Sequence, residues 1–149
     1  MRCCLVWAVD FSPCTYDEND AIRCYNVDVS EVMDAFRRNA NYSQVGEVHL
    51  YNVADLTVDR LVALFDMVAV SWQNIRRIYL IQLDQIDRIP DGLFRHFPNL
   101  EHSDLEFLRG IKVLPAGSMA FSSDNLEKIN YFSSLLQVIE PAAFQGTFI

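Results

Sequence analysis

The phrase IRRIYLIQLDQIDRIPDGLF, beginning at Ile75, returns as LEHSDLEFLRGIKVLPAGSM beginning at Leu100, with apolar residues in matching places and a proline in the same slot. Ile75 aligns with Leu100, Leu80 with Leu105, Leu83 with Leu108, Ile86 with Ile111, Ile89 with Leu114 and Pro90 with Pro115, every pair 25 residues apart. A third copy follows at Leu126, Ile129, Tyr131, Leu136 and Ile139, one residue tighter across its middle, and closes with IEPAAF from Ile139 to Phe144. Apolar residues make up 51% of the chain, enough for scattered matches by accident but not for six positions at one constant offset. A fixed period of this length marks a unit that cannot bury its apolar face alone and does so against the next copy. Function in such an array is expected on an extended surface.

Within each copy, apolar residues at the first, fourth and sixth places, followed by a later Ile or Leu and then Pro, match the pattern of a leucine-rich repeat. The predicted fold class is therefore α/β: a leucine-rich repeat solenoid with a concave parallel sheet, a convex side of short helices and loops, and an N-terminal cap. The expected divisions are a possible signal or apolar segment over 1–13, a cap over 14–44, and four units over 45–74, 75–99, 100–125 and 126–149, the last incomplete and uncapped. Side chains alternate faces along a strand, so Val48 and Leu50, Ile78 and Leu80, Ser103 and Leu105, and Ile129 and Tyr131 are expected inward. Ser103 is then a hydroxyl in a core slot and needs a partner. Phe94, Phe97, Phe121 and Phe144 are expected to fill the convex side. Ser30 is placed as the cap of a helix, SEVMDAFRRN, with Val32, Met33 and Phe36 on one face. Thr57 is placed as the cap of a second helix running through Val70, with Leu61, Leu64, Phe65 and Val68 buried.

Twelve Lys and Arg against twenty Asp and Glu leave a formal net charge of −8. That sign argues against nucleic acid and anionic membranes as main partners, since both are met by clustered cations. No apolar run approaches the roughly 20 residues that a membrane span needs. At the N-terminus, Met1 and Arg2 precede the short apolar run Cys3 to Val9. It is read as a curtailed secretory signal, with an apolar strand packed on the first repeat as the alternative. Cys14 and Cys24 bracket a short acidic loop that a disulfide could close. Retention of Cys3 and Cys4 would allow three pairings, and buried free thiols in an intracellular protein remain a further alternative. Asn41, with Tyr42 and Ser43, forms a glycosylation sequon. Together these features predict a secreted or extracellular protein.

The functional expectation rests on the outward places of the strands. The third-place column is Glu47, Arg77, His102 and Lys128; the fifth is His49, Tyr79, Asp104 and Asn130; the seventh is Tyr51, Ile81, Glu106 and Phe132. Aromatic and aliphatic groups beside charges suit a protein contact, because interface anchors favour Tyr, Phe and Arg. The alternative is a solvated face with no partner. No catalytic residue, metal or cofactor is called for. Histidines 49, 96 and 102 have no nucleophile spacing with any cysteine. His49 and His102 stand about 10 Å apart by the sheet spacing, too far to share a metal. YDENDA from Tyr16 lacks the glycine and terminal glutamate of a calcium loop.

With these residues in hand, the chain from Cys14 onward resembles the extracellular leucine-rich repeat family, whose N-terminal cap the pair Cys14 and Cys24 is similar to. Within that family, the acidic cysteine loop, the long first unit and the phrase IPDGLFRHFPNLEHSDLE are similar to secreted arthropod proteins related to the non-catalytic subunit of shrimp luciferin monooxygenase. The resemblance implies a curved solenoid that binds proteins through its concave sheet. The narrower likeness implies an accessory subunit that stabilises a separate enzyme. The sequence departs from the family pattern in three ways. The ninth place, usually Asn, holds Val53, Leu83, Leu108 and Ser134. Two units carry one extra residue, before Ile86 and Ile111. No C-terminal cap follows, which leaves Leu135, Leu136, Val138 and Phe144 partly exposed, suggests a piece of a longer protein and favours self-association through that end.

Overall fold

The computed structural model describes residues 9–90, 92–118, 125–133 and 135–144. Phe121, Cys3, Cys4 and the segment read as a signal lie outside these, apart from residues from Val9 onward. Each strand forms where apolar residues alternate with polar ones: β1 at Thr15–Tyr16, β2 at Ala21–Tyr25, β3 at Glu47–Tyr51, β4 at Arg77–Ile81, β5 at His102–Glu106, β6 at Val113–Leu114, β7 at Lys128–Phe132 and β8 at Val138–Ile139. Six of them build one sheet in the order β1, β2, β3, β4, β5, β7, parallel throughout except for the short antiparallel β1. The register runs unbroken, with Ala21, Glu47, Arg77, His102 and Lys128 side by side across five strands. On the opposite layer β6 and β8 pair in parallel as a two-stranded sheet.

This sheet begins one strand earlier than the sequence suggested. β2 lies inside the segment read as a cap, and β2 with the helix after it repeats the strand-then-helix order of β3 and its helix. The missed signal is short: Tyr25, Asn26 and Val27 return as Tyr51, Asn52 and Val53.

Helix α1, Val29–Arg38, is capped by Asp28 and not by Ser30. The Asp28 carboxylate accepts from the Ser30 N–H at 2.8 Å, and the Asp28 N–H donates to Glu31 at 3.1 Å, a reciprocal box that satisfies two donors of the first turn. The Ser30 hydroxyl also donates to Asp28, so the serine supports the cap from inside the helix. Those bonds hold the Asp28 carboxyl below its ordinary range. Val29, Val32, Ala35 and Phe36 are buried, while Met33 sits half-exposed at the edge of that stripe. Helix α2, Val58–Val68, is capped by Thr57 as expected and buries Leu61, Leu64, Phe65 and Val68. It stops two residues short of Val70, which is 87% exposed, because the apolar stripe ends at Val68. A 3₁₀ turn at Leu93–His96 follows β4.

The inward residues of the strands and the apolar sides of these helices form one core, with Phe94 and Phe97 fully buried and Phe144 partly so. Phe65 and Phe97 meet edge to face at 5.2 Å, joining α2 to the 3₁₀ turn. The end beyond β7 is more open: Leu135 and Val138 are exposed, and Leu136 and Phe144 are half-buried.

Two backbone ladders stitch neighbouring strands at their ends. Ahead of the strands, the carbonyls of Gly46, Arg76 and Glu101 each accept two N–H groups from the next segment. After the strands, Asn26, Asn52, Gln82 and Phe107 all take left-handed backbone, and the N–H of each donates to the carbonyl that ends the neighbouring strand. Asn tolerates that conformation better than most residues. The ninth-place residues Val53, Leu83 and Leu108 point into the core, so no amide ladder stands there. A ladder forms elsewhere: Asn74 donates to the Ser43 carbonyl at 2.9 Å and Asn99 to the Gln73 carbonyl at 2.8 Å.

Ser103 lies between Ile78 and Ile129, fully buried, and its hydroxyl has no protein partner among the described residues. An unpaired buried hydroxyl costs about 1–3 kcal/mol. Ser103→Ala is therefore expected to raise stability by about 1 kcal/mol, read as a higher denaturation midpoint at unchanged denaturant slope. A fall in the midpoint would show that the hydroxyl is satisfied in solution.

Candidate functional site

The outward places of five strands lie on one face of the sheet, and the register sorts them into columns. Glu47, Arg77, His102 and Lys128 share the first, His49, Tyr79, Asp104 and Asn130 the second, and Tyr51, Ile81, Glu106 and Phe132 the third. All twelve residues named from the sequence are brought together. Register also adds Arg23 beside His49 and Tyr25 beside Tyr51, two positions missed because β2 was not recognised as part of the array.

The centre of the face is preorganised. His49 stacks on Tyr79 with ring centres 4.1 Å apart and planes 15° from parallel. Its Nε2 meets Glu47 at 3.0 Å, and the other oxygen of Glu47 faces the Arg77 guanidinium at 3.5 Å. Glu47 is thus shared between a ring and a guanidinium, and Arg23 is tied to Asp17. Around the start of the strands, Arg23, His49, Arg77, Tyr79, Arg76 and Glu101 line a hollow of about 930 Å³. Toward the end of the strands the character changes. Tyr25 and Tyr51 meet edge to face at 5.6 Å, and Phe107 and Phe132 do so at 5.3 Å. Tyr25 and Phe132 are 49% and 58% exposed, so one margin of the face is aromatic and accessible while the other is charged.

Burial holds the His49 imidazole below its ordinary pKa, and the Glu47 hydrogen bond opposes this only in part. Burial, with Glu47 nearby, pushes the Tyr79 phenol up. The neutral ring of His49 donates from Nε2 to Glu47. A base whose pKa is depressed by folding binds its proton more readily in the unfolded chain. Its contribution to stability is therefore complete above the unfolded value, about 6.5, and is lost as pH falls below it toward the folded pKa. We expect the thermal midpoint to drop between neutral pH and mild acid, and His49→Gln to flatten that part of the profile. An unchanged profile in the variant would contradict this assignment.

No set of three or more His, Cys, Asp and Glu side chains stands close enough to hold a metal among the described residues. His49, His96 and His102 instead face Glu47, Asp66 and Glu127. Cys14 and Cys24 are joined in a disulfide with Cα atoms 4.4 Å apart, as the sequence suggested. Such a bond fits an oxidising compartment. Among the described residues no helix is long and apolar enough to cross a membrane. Asn41 is exposed in the turn between α1 and β3.

Fold and face together define a mixed α/β protein with a mostly parallel sheet, few helices and one broad, side-chain-rich surface. Comparison with known protein families, with curated proteins and with solved structures finds no match.

Proposed function

We propose that the chain is a leucine-rich repeat module of the extracellular type that binds another protein through the outward face of its parallel sheet, without catalysis of its own. The observation that supports this most is the unbroken register. It sets a charged column, a mixed column and a partly aromatic column side by side over five strands. Aromatic residues and arginine are the side chains most often found at the centre of protein interfaces. The disulfide favours a secreted module over an intracellular adaptor. The exposed Asn41 sequon fits the same compartment. Service as an accessory subunit of a separate secreted enzyme is a narrower form of the same proposal.

The test is selection of binders from a displayed library of secreted proteins, followed by affinity measurement on two sets of variants. Arg77→Glu and Tyr79→Ala on the face are expected to weaken selected partners at least about tenfold, as loss of an interface anchor does. Glu31→Arg and Asp59→Arg on the helices are expected to leave affinity unchanged. Partners that ignore the face variants and respond to the helix variants would overturn the proposal. A catalytic chain recovered as partner, losing activity when this protein is removed, would select the accessory-subunit form.

A further inference from the structure

β7 is the last strand of the main sheet, and among the described residues nothing pairs with its far side. Its backbone polarity is set by the ladder: the Lys128 N–H donates back to Glu101 and the Phe132 carbonyl accepts from Phe107. Groups alternate sides along a strand, so the N–H and C=O of Ile129 and Tyr131 face the open edge. Next to them lies a hollow of about 450 Å³ lined by Leu126, Ile129, Tyr131 and Phe144. Four of the eight large apolar residues that stand exposed, Phe132, Leu135, Val138 and Ile139, belong to this end. An edge of this kind is a template for another strand.

The sequence of β7, KINYF, is complementary to itself in one antiparallel register. We infer that β7 pairs with β7 of a second copy about a two-fold axis through Asn130. In that register Ile129 lies opposite Tyr131 of the other copy, and each exchanges both of its free backbone hydrogen bonds. On the core side, isoleucine meets tyrosine twice, and the two open hollows close on each other. On the outward side, Lys128 faces Phe132 and not another lysine, so the pairing avoids like charges opposite one another. Asn130 meets its own copy at the axis, where the side-chain amides can donate and accept in turn. Such contact, with the same patch used by both partners, is the ordinary way a two-fold dimer forms.

The register makes a positional test possible. With Cys3 and Cys4 replaced by serine, Asn130→Cys places a thiol opposite itself at a non-hydrogen-bonded pair. The Cα separation there is about 4.5 Å, within the range that a disulfide spans. Lys128→Cys alone places its two copies about 13 Å apart along the strands, beyond that range. Expected under mild oxidation are a covalent dimer for Asn130→Cys, none for Lys128→Cys alone, and a dimer when Lys128→Cys is mixed with Phe132→Cys. The unmodified chain should sediment as a concentration-dependent dimer. Phe132→Lys, which sets like charges opposite each other twice, should raise its dissociation constant roughly tenfold. A monomer at all concentrations with the β7 amides protected from exchange would show that the chain covers this edge itself. A monomer with exchanging amides, or cross-links in another register, would equally overturn the inference.

Discussion

Replacing Trp72 by alanine is expected to produce the largest loss of stability of any single truncation in this protein. Trp72 is fully buried between α2 and β4, yet it serves elements far from both. Its ring packs on Phe36 of α1 at 4.8 Å and on Phe11 at 6.2 Å, and its indole N–H donates to the Asn39 carbonyl at 3.3 Å. Truncation removes apolar contact with two aromatic rings, opens a cavity between three segments and takes the donor from a backbone carbonyl. Changes of this kind cost about 3–5 kcal/mol. For a chain of this size that corresponds to a fall in thermal midpoint of about 6–20 °C. Calorimetry of the variant checks it, and a loss below about 1 kcal/mol would mean that the packing around Trp72 is not as described.

Reduction of the Cys14–Cys24 bond is the second large effect. The bond closes a ten-residue step that carries β1, anchors it to the first parallel strand, and lies beside Phe11, whose carbonyl accepts from the Cys14 N–H. Cys24 is fully buried in β2, so the reduced thiol stays in the core while the loop before it regains freedom. The expected loss is about 2–4 kcal/mol. It should be localised: hydrogen exchange should quicken first in β1, β2 and the Phe11 segment, and last in β4 and β5. A uniform acceleration, or no change in midpoint with reductant, would contradict this. Intact mass with and without reductant supplies the control, because the oxidised chain is lighter by two hydrogens per bond.

The outward grid was legible in the sequence because two simple periods coincide. Alternation along a strand fixes which residues face out, and the constant offset between copies fixes which of them become neighbours. All twelve named positions therefore fell into their columns. β2 was hidden because its unit matches the others in only a few residues, Tyr25-Asn26-Val27, and its inward slot is filled by a cysteine that also serves the disulfide. Asp28 was passed over as a cap in favour of Ser30 because both residue types cap helices. Only the pairing of Asp28 with Glu31 three residues on decides between them. The amide ladder was sought at the ninth place, where this chain spends its side chains on the core. Asn74 and Asn99 stand ahead of the first apolar residue of each copy, and their spacing of 25 residues, continued by Asn125, was the available signal. The stacking of His49 on Tyr79 and the sharing of Glu47 were beyond sequence reasoning, since they depend on rotamers.

The central claim is that consecutive copies place their strands side by side, parallel and in one register, so that the outward columns form a single surface. Nuclear Overhauser contacts between backbone protons in the uniformly labelled chain test it most directly. The account expects cross-strand contacts linking the neighbourhood of His49 to that of Tyr79, Tyr79 to Asp104, and Asp104 to Asn130, all in the parallel pattern. Antiparallel contacts among these strands, a shift of one residue that turns Ile78 and Leu105 outward, or contacts that pass over β4 or β5 would contradict it.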